Sequence, residues 1–185
     1  MPDAEPDDGT LMLRLQGGDD RALDLLMNRW QIPLRRFLYR WLQNEADALD
    51  LAQECFVRVY RHRARFRSGA KFSTWLFSIG LNLCRNHARH GRVRAAIPLD
   101  DVPETAGDAR SPDTDLLRGE KIAAVRRAVA GLPEPLKNAT LLCEYEDLSL
   151  ADAAAAAGCS PKAIETRLYR ARALLRQALG TYLKM

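Results

Sequence analysis

Between Arg61 and Ala95 the chain carries nine lysines and arginines and all three of its histidines, with no aspartate or glutamate. Phe66, Phe72, Trp75 and Phe77 are interleaved with that charge. A block this basic gains most from a polyanion, and rings set beside cations are what unpaired bases stack on. The chemistry offered is binding of single-stranded nucleic acid; a solvated basic helix whose aromatics belong to the core is the plain alternative.

Two further sets of side chains share that character of binding without bond-making. Asp47, Asp50, Gln53, Glu54 and Val57 lie apart from the apolar Leu49, Ala52, Phe56, Val59 and Tyr60 on one helix. Such a polar face is either solvated or a docking surface that steers a basic partner. Near the C-terminus, Ser160, Lys162, Ala163, Thr166, Arg167 and Arg170 fall opposite the apolar Ile164, Leu168, Ala171 and Leu175. Recognition helices read base edges from their N-terminal part, with Arg and Lys adding phosphate contacts.

Nothing in the sequence suits covalent chemistry. Cys55, Cys84, Cys143 and Cys159 are far apart and never form C-x-x-C. No His/Cys/Asp cluster has metal-ligand spacing, and there is no glycine-rich phosphate loop or nucleophile elbow. No catalytic residue, metal or cofactor is expected. No run approaches the roughly 18 apolar residues of a membrane span. The acidic start MPDAEPDDGT lacks the features of a signal peptide. The expectation is a cytoplasmic protein with reduced thiols.

The elements that must position these residues follow from the charge pattern and the periodicity. The net charge of +4 divides into seven basic against eleven acidic residues over 1–60, +9 over 61–95, two against seven over 96–120, and ten against six over 121–185. Two positive blocks separated by an acidic bridge predict two nucleic-acid contacts and a linker. The expected fold is all-α: two small helical domains joined by a flexible acidic linker, the second a helix-turn-helix domain. The expected boundaries are a disordered 1–9, a first domain over 10–92, a linker over 93–114 and a second domain over 115–185.

Thr10 is the expected N-cap of a first short helix that Gly17-Gly18 ends. A long amphipathic helix follows, which Pro33 should kink or divide. Asn44 should cap a helix over 45–61. After a loop turning at Gly69, a helix is expected from Phe72 to His90, with Ser73 a possible cap and Gly91 the stop. On it Phe72, Leu76, Ile79 and Leu83 mark the buried face, while Asn82, Arg85, Asn86 and Arg89 share the opposite side. Beyond the linker, Thr114 or Asp115 caps one helix and another runs over 135–144. Asp147 or Ser149 caps a third over 150–156, and Ser160-Pro161 opens the last, reaching about Leu183. The last two form a helix-turn-helix over 153–172, in which the nearly all-alanine first helix can lie close to the second.

Three stretches carry a resemblance. DALDLAQECFVRVYR (Asp47–Arg61), FRSGAKFSTWLFSIGLNLCRN (Phe66–Asn86) and LSLADAAAAAGCSPKAIETRLYRAR (Leu148–Arg172) resemble, in order and spacing, bacterial sigma factors of the extracytoplasmic-function (ECF) group. The resemblance covers nearly the whole chain. It implies a protein that binds core RNA polymerase, directs it to particular promoters and is held inactive by an anti-sigma factor until a stress signal. It gives Asp47, Asp50, Gln53, Glu54 and Val57 to the clamp helices of the largest polymerase subunit, and adds a contact with the flap. It gives Phe66, Arg67, Ser68, Gly69 and Lys71 to a base flipped from the minus-ten element, and Asn82, Arg85, Asn86 and Arg89 to the melted strand. Phe72 and Trp75 also match that motif but fall to the scaffold. Ser160, Lys162, Ala163, Thr166, Arg167 and Arg170 go to the minus-thirty-five element. Two departures stand out: Ala153 and Ala157 replace the family's frequent large aliphatics, and Glu165 stands where Lys or Arg is frequent. A helix-turn-helix regulator acting without polymerase would account for 121–185 and leave Asp47–Tyr60 without a role.

Overall fold

The computed structural model describes residues 6–95 and 114–180, with side chains over 6–90 and 119–180. Among these the regular structure is helical throughout: α1 (Asp8–Gln16), α2 (Arg21–Leu42), α3 (Glu45–His62), α4 (Phe72–Ala95), α5 (Thr114–Ala130), α6 (Glu134–Thr140), α7 (Leu150–Ala157) and α8 (Pro161–Leu179). A 3-10 turn over Arg63–Arg65 follows α3, and a π-helical turn over Leu141–Tyr145 follows α6. The expected all-α class and the helix-turn-helix of α7 and α8 are both present.

Several local expectations need correction. Asp7, not Thr10, caps α1: its carboxylate accepts from the Thr10 amide at 2.9 Å and from the Thr10 hydroxyl at 3.1 Å. Of the expected disordered start, Asp8 and Gly9 therefore belong to α1 and Asp7 caps it, while 1–5 lie outside the described residues. Pro33 neither divides nor ends α2. Leu26, Leu34, Phe37, Leu38 and Trp41 bury one stripe of that helix, and burial of about 1.5–3 kcal/mol per large side chain outweighs the roughly 3 kcal/mol cost of the proline. Ser73 lies inside α4, and α4 runs past Gly91 to Ala95, because a helical glycine costs only about 1 kcal/mol. Of the predicted linker, 93–95 belong to α4 and Thr114 opens α5; 96–113 lie outside the described residues, as does the expected extension of the last helix beyond Gly180.

Other caps fall as the residue chemistry dictates. Asn44 Oδ1 accepts from the Asp47 amide at 3.1 Å. Ser149, rather than Asp147, caps α7 through the Asp152 amide, and Ser160 caps α8 through the Ala163 amide with Pro161 next in line.

In the first unit α2 is the central helix, packed on α1, α3 and α4. Its aromatics meet those of α4: Trp30 stands edge-on to Phe72 and to Phe77 at 6.1 Å, and Phe37 lies 4.9 Å from Phe77. Offset and edge-on rings are the arrangements the ring quadrupole favours. On α3 the buried stripe is Ala48, Ala52, Cys55, Phe56 and Val59. Leu49, expected inward, is 45% exposed.

In the second unit α8 packs on α5, α6 and α7. Ala153, Ala154, Ala156 and Ala157 are buried, and α7 contacts α4 as well as α8. This explains the alanines: a helix squeezed between two others has no room for large side chains, so Ala153 and Ala157 suit a double packing and not merely the closeness to α8 predicted above. The apolar core consequently runs on from one unit into the other. At their junction Trp41 Nε1 donates to Asn138 Oδ1 at 2.8 Å within the interior, and the Lys137 ammonium sits 5.2 Å above the Trp41 ring.

Candidate nucleic-acid and partner interfaces

The loop before α4 is built from beneath. Phe66 is only 5% exposed, with its ring 5.4 Å from Trp75 and 6.4 Å from Phe72. Gln16 Nε2 donates to the carbonyls of Arg63 and Phe66, both at 2.8 Å, so α1 holds the root of the loop. The chain then turns with the Ala70 amide donating to the Arg67 carbonyl, and Gly69 takes φ +81°, where a side chain would be strained. Arg67, Ser68, Gly69 and Lys71 are exposed. An open recess of about 570 Å³ separates this loop from the start of α1, lined among others by Asp7, Thr10, Gly69, Lys71 and Ser73. Phe66 was expected to face a base; here its ring is part of the aromatic cluster that fixes the loop.

Along α4, Asn82, Asn86 and Arg89 are exposed and Arg85 is half-buried. Their spacing brings them to one side, as expected, with Arg85 reaching toward Asn82 Oδ1 at 3.4 Å. Trp75 is half-buried and Phe72 buried, which places both in the scaffold.

On α3, Asp50, Gln53 and Val57 are exposed, the last 42%. Asp47 and Glu54 are half-buried: Glu54 pairs with Arg58 at 2.7 Å, and Asp47 lies 3.5 Å from His87 Nε2 on α4. The exposed Leu49 and Ile32 flank a groove of about 230 Å³ between α2 and α3, closed below by Ala52 and Phe56. Sequence reasoning missed both aliphatics. The signal was present, because a helix phased on Ala48, Ala52, Cys55 and Val59 turns Leu49 outward.

On α8, Ser160, Lys162, Thr166 and Arg170 are exposed, while Ala163 and Arg167 are half-buried. Arg167 Nη1 donates to Cys159 Sγ at 3.2 Å, tying this guanidinium back to the turn. The Thr166 hydroxyl donates to the Lys162 carbonyl at 2.9 Å, and Lys162 Nζ meets Glu165 at 2.8 Å. Tyr169 is 77% exposed, one turn on from Glu165 and Thr166. It was missed because its spacing reads equally well as the edge of the apolar stripe.

Burial pushes the Cys55 thiol up to about 12 and holds Cys84 well above the ordinary thiol range, so both are inert at neutral pH. Among the described residues no group of His, Cys, Asp and Glu comes together to hold a metal, and no described helix is long and apolar enough to cross a membrane.

Arg40 of α2 reaches the second unit. It bonds Glu146 at 3.1 Å and lies 4.6 Å from the centre of the Tyr145 ring. Burial pushes the Glu146 carboxyl from 4.5 up to about 7, against the opposing pull of Arg40. The folded chain therefore holds a proton that the unfolded chain releases. Stability from this group is full below about pH 4.5 and is lost as the pH rises through about 7. The urea midpoint of the wild-type chain should fall between pH 5 and 8, and Glu146→Gln, neutral throughout, should flatten that fall. Equal slopes for the two proteins would show that Glu146 is not responsible.

Comparison with known proteins places these surfaces in context. Residues 26–94 match the family described as Sigma-70 region 2, and residues 122–175 that described as Sigma-70, region 4. The RNA polymerase sigma-H factor of Pseudomonas aeruginosa is 35% identical over 185 residues, covering 96% of each chain. The ECF RNA polymerase sigma-E factor of Escherichia coli strain K12 is 31% identical over 173 residues, covering 89% of this chain and 90% of that one. The structure of CnrH in complex with the cytosolic domain of CnrY superposes with a TM-score of 0.72 at 26% identity, over 94% of this chain and 97% of the other. The sigma factor RpoE from Bartonella quintana, solved in complex with the anti-sigma factor NepR, shares the fold with a TM-score of 0.65 at 23% identity, over 85% and 96% of the two chains.

Proposed function

The chain belongs to the sigma-70 family, in its extracytoplasmic-function group, and from that premise we propose how its surfaces divide the work of transcription initiation. The observation that carries the proposal is the presence of both family regions, in order, in a chain alike over almost its full length to sigma factors. The first unit, α1 to α4, takes the polymerase and the minus-ten element, and the second, from α5 onward, takes the minus-thirty-five element.

Asp47, Asp50, Gln53, Glu54 and Val57 dock on the clamp helices of the largest polymerase subunit. The exposed Leu49 and Ile32 add the apolar contact that a rim of charge lacks. The flap receives the second unit. The exposed loop from Arg67 to Lys71 holds a base extruded from the minus-ten element, with Phe66 as its support. Asn82, Arg85, Asn86 and Arg89 follow the melted strand. Extruding a base costs a few kcal/mol; cations and amides on a preformed loop offset it.

On α8, Ser160, Lys162, Ala163, Thr166 and Arg170 face the upstream element, joined by Tyr169, and Arg167 orients the turn. Polymerase bound to both units raises the effective concentration of each for its own element. Catalysis stays with the polymerase, and the protein works in the cytoplasm. An anti-sigma protein restrains it until a stress signal; the fold neighbour CnrH was solved in complex with the cytosolic domain of CnrY, which supports such a partner.

Capture of core RNA polymerase by the purified chain tests the proposal. Wild type should bind and direct initiation at discrete mapped start sites. Asp50→Lys combined with Glu54→Lys should weaken capture at least tenfold while the helical signal in circular dichroism is kept. Absence of capture by wild type, or capture indifferent to both reversals, would overturn it.

A further inference from the structure

A cleft of about 490 Å³ lies between α2 and α5, away from the surfaces assigned above to DNA and polymerase. Its floor comes from α5. Ile122, Val125 and Val129 recur at spacings of three and four and so share one face of that helix. The face is covered only at its far end: Val129 is buried, but Val125 is 37% and Ile122 46% exposed. Tyr39 of α2 and Tyr145 of the π-helical turn add half-buried rings to the lining.

The rim is cationic. Arg36 and Arg40 come from α2 and Lys121 and Arg126 from α5, and no carboxylate lines the cleft. Arg40 is held in place by the Tyr145 ring at 4.6 Å and by Glu146 at 3.1 Å. Burial keeps the Glu146 carboxyl part-protonated near neutral pH, so it offsets only a fraction of the positive charge around it. Lys121 and Arg126 form no ion pair among the described residues. An apolar floor of this size under a few convergent charges is the usual make-up of a small-molecule site. DNA fits it poorly, because a phosphate backbone has nothing to bury on three aliphatic side chains.

We propose that this cleft binds a free, single-tailed amphipathic anion of the fatty-acid class. The tail lies on the Ile122, Val125 and Val129 stripe, where it removes exposed apolar surface from water. The carboxylate meets the guanidinium groups at the rim, whose planar forks suit it. Because one wall belongs to each unit, an occupant stabilises the folded arrangement described here by mass action. The site stands on its own lining and does not depend on which promoter element each unit reads.

Isothermal titration calorimetry on the full chain tests it, with decanoate below its micelle concentration as the probe. Decanoate should bind saturably at one site. Decanol, with the same tail and no charge, should bind at least tenfold more weakly, and acetate, with the head alone, should give no binding heat. Arg36→Gln combined with Arg126→Gln should weaken decanoate about tenfold, the loss of two partly solvated charge contacts, and leave decanol unchanged. Val125→Trp, which fills the cleft from an exposed position, should abolish binding of both; circular dichroism confirms that each variant is folded. No saturable decanoate binding, equal affinities for decanoate and decanol, or an affinity unchanged in either variant would overturn the proposal. Binding to phosphatidylglycerol vesicles without binding of monomeric decanoate would overturn it in favour of a membrane surface.

Discussion

Phe37→Ala is expected to lower the unfolding free energy by about 3–5 kcal/mol, the range for truncating a buried aromatic. Phe37 is fully buried on α2, the helix on which α1, α3 and α4 all pack, and its ring meets Phe77 of α4 at 4.9 Å. Truncation removes the transfer free energy of the ring and leaves a cavity that helices fixed by other contacts cannot close. A single domain has about 5–15 kcal/mol in all, so the loss is a large share, and the thermal midpoint should drop on the order of 10 °C. Because the apolar core continues from α2 into the second unit, probes in α8 should report a shift as well as probes in α4. Thermal and urea melts of the purified protein check both points; a loss below about 1 kcal/mol would show that Phe37 is not central to the core.

Glu165→Lys is expected to change which upstream sequences the protein uses. Glu165 lies on the exposed side of α8, next in line to Thr166, and its present partner is Lys162 at 2.8 Å, both side chains being largely in water. An exposed pair of this kind is worth little, so either side chain is free to turn to DNA. A carboxylate repels phosphate and accepts from the cytosine amino group in the major groove; a lysine at the same place donates to guanine and attracts phosphate. One such contact is worth about 1–3 kcal/mol of discrimination, roughly a 5- to 150-fold change in preference at one base pair. Selection from a library randomised upstream of a fixed minus-ten element, read by start-site mapping, measures it. The same preferred sequences for both proteins would place Glu165 away from the bases.

Helix existence and type were legible from residue order, because periodicity and cap chemistry are local. Asn44, Ser149 and Ser160 each cap the helix that their spacing predicts. The failures were also local in kind. Pro33 and Gly91 read as punctuation, yet burial of a long stripe and the small cost of a helical glycine carried α2 and α4 through them. Leu49 read as core because a stripe drawn from a large aliphatic is hard to tell from one drawn through Ala48 and Cys55.

For the candidate interfaces the division is sharper. Which residue types could meet a polyanion, a basic partner or a groove of DNA was set by composition and spacing, since charge and helical period are properties of the chain itself. Whether a given side chain is free to do so was not. Phe66 sits under its loop because the Phe72 and Trp75 rings of α4 receive it there; Arg167 is drawn to Cys159; Lys71 and Arg85 face Asp152 and Glu134 from residues far along the chain. Only the packing of α7 against α4 brings those charges together, and the alanines that permit this approach look, in the sequence, like an absence of information.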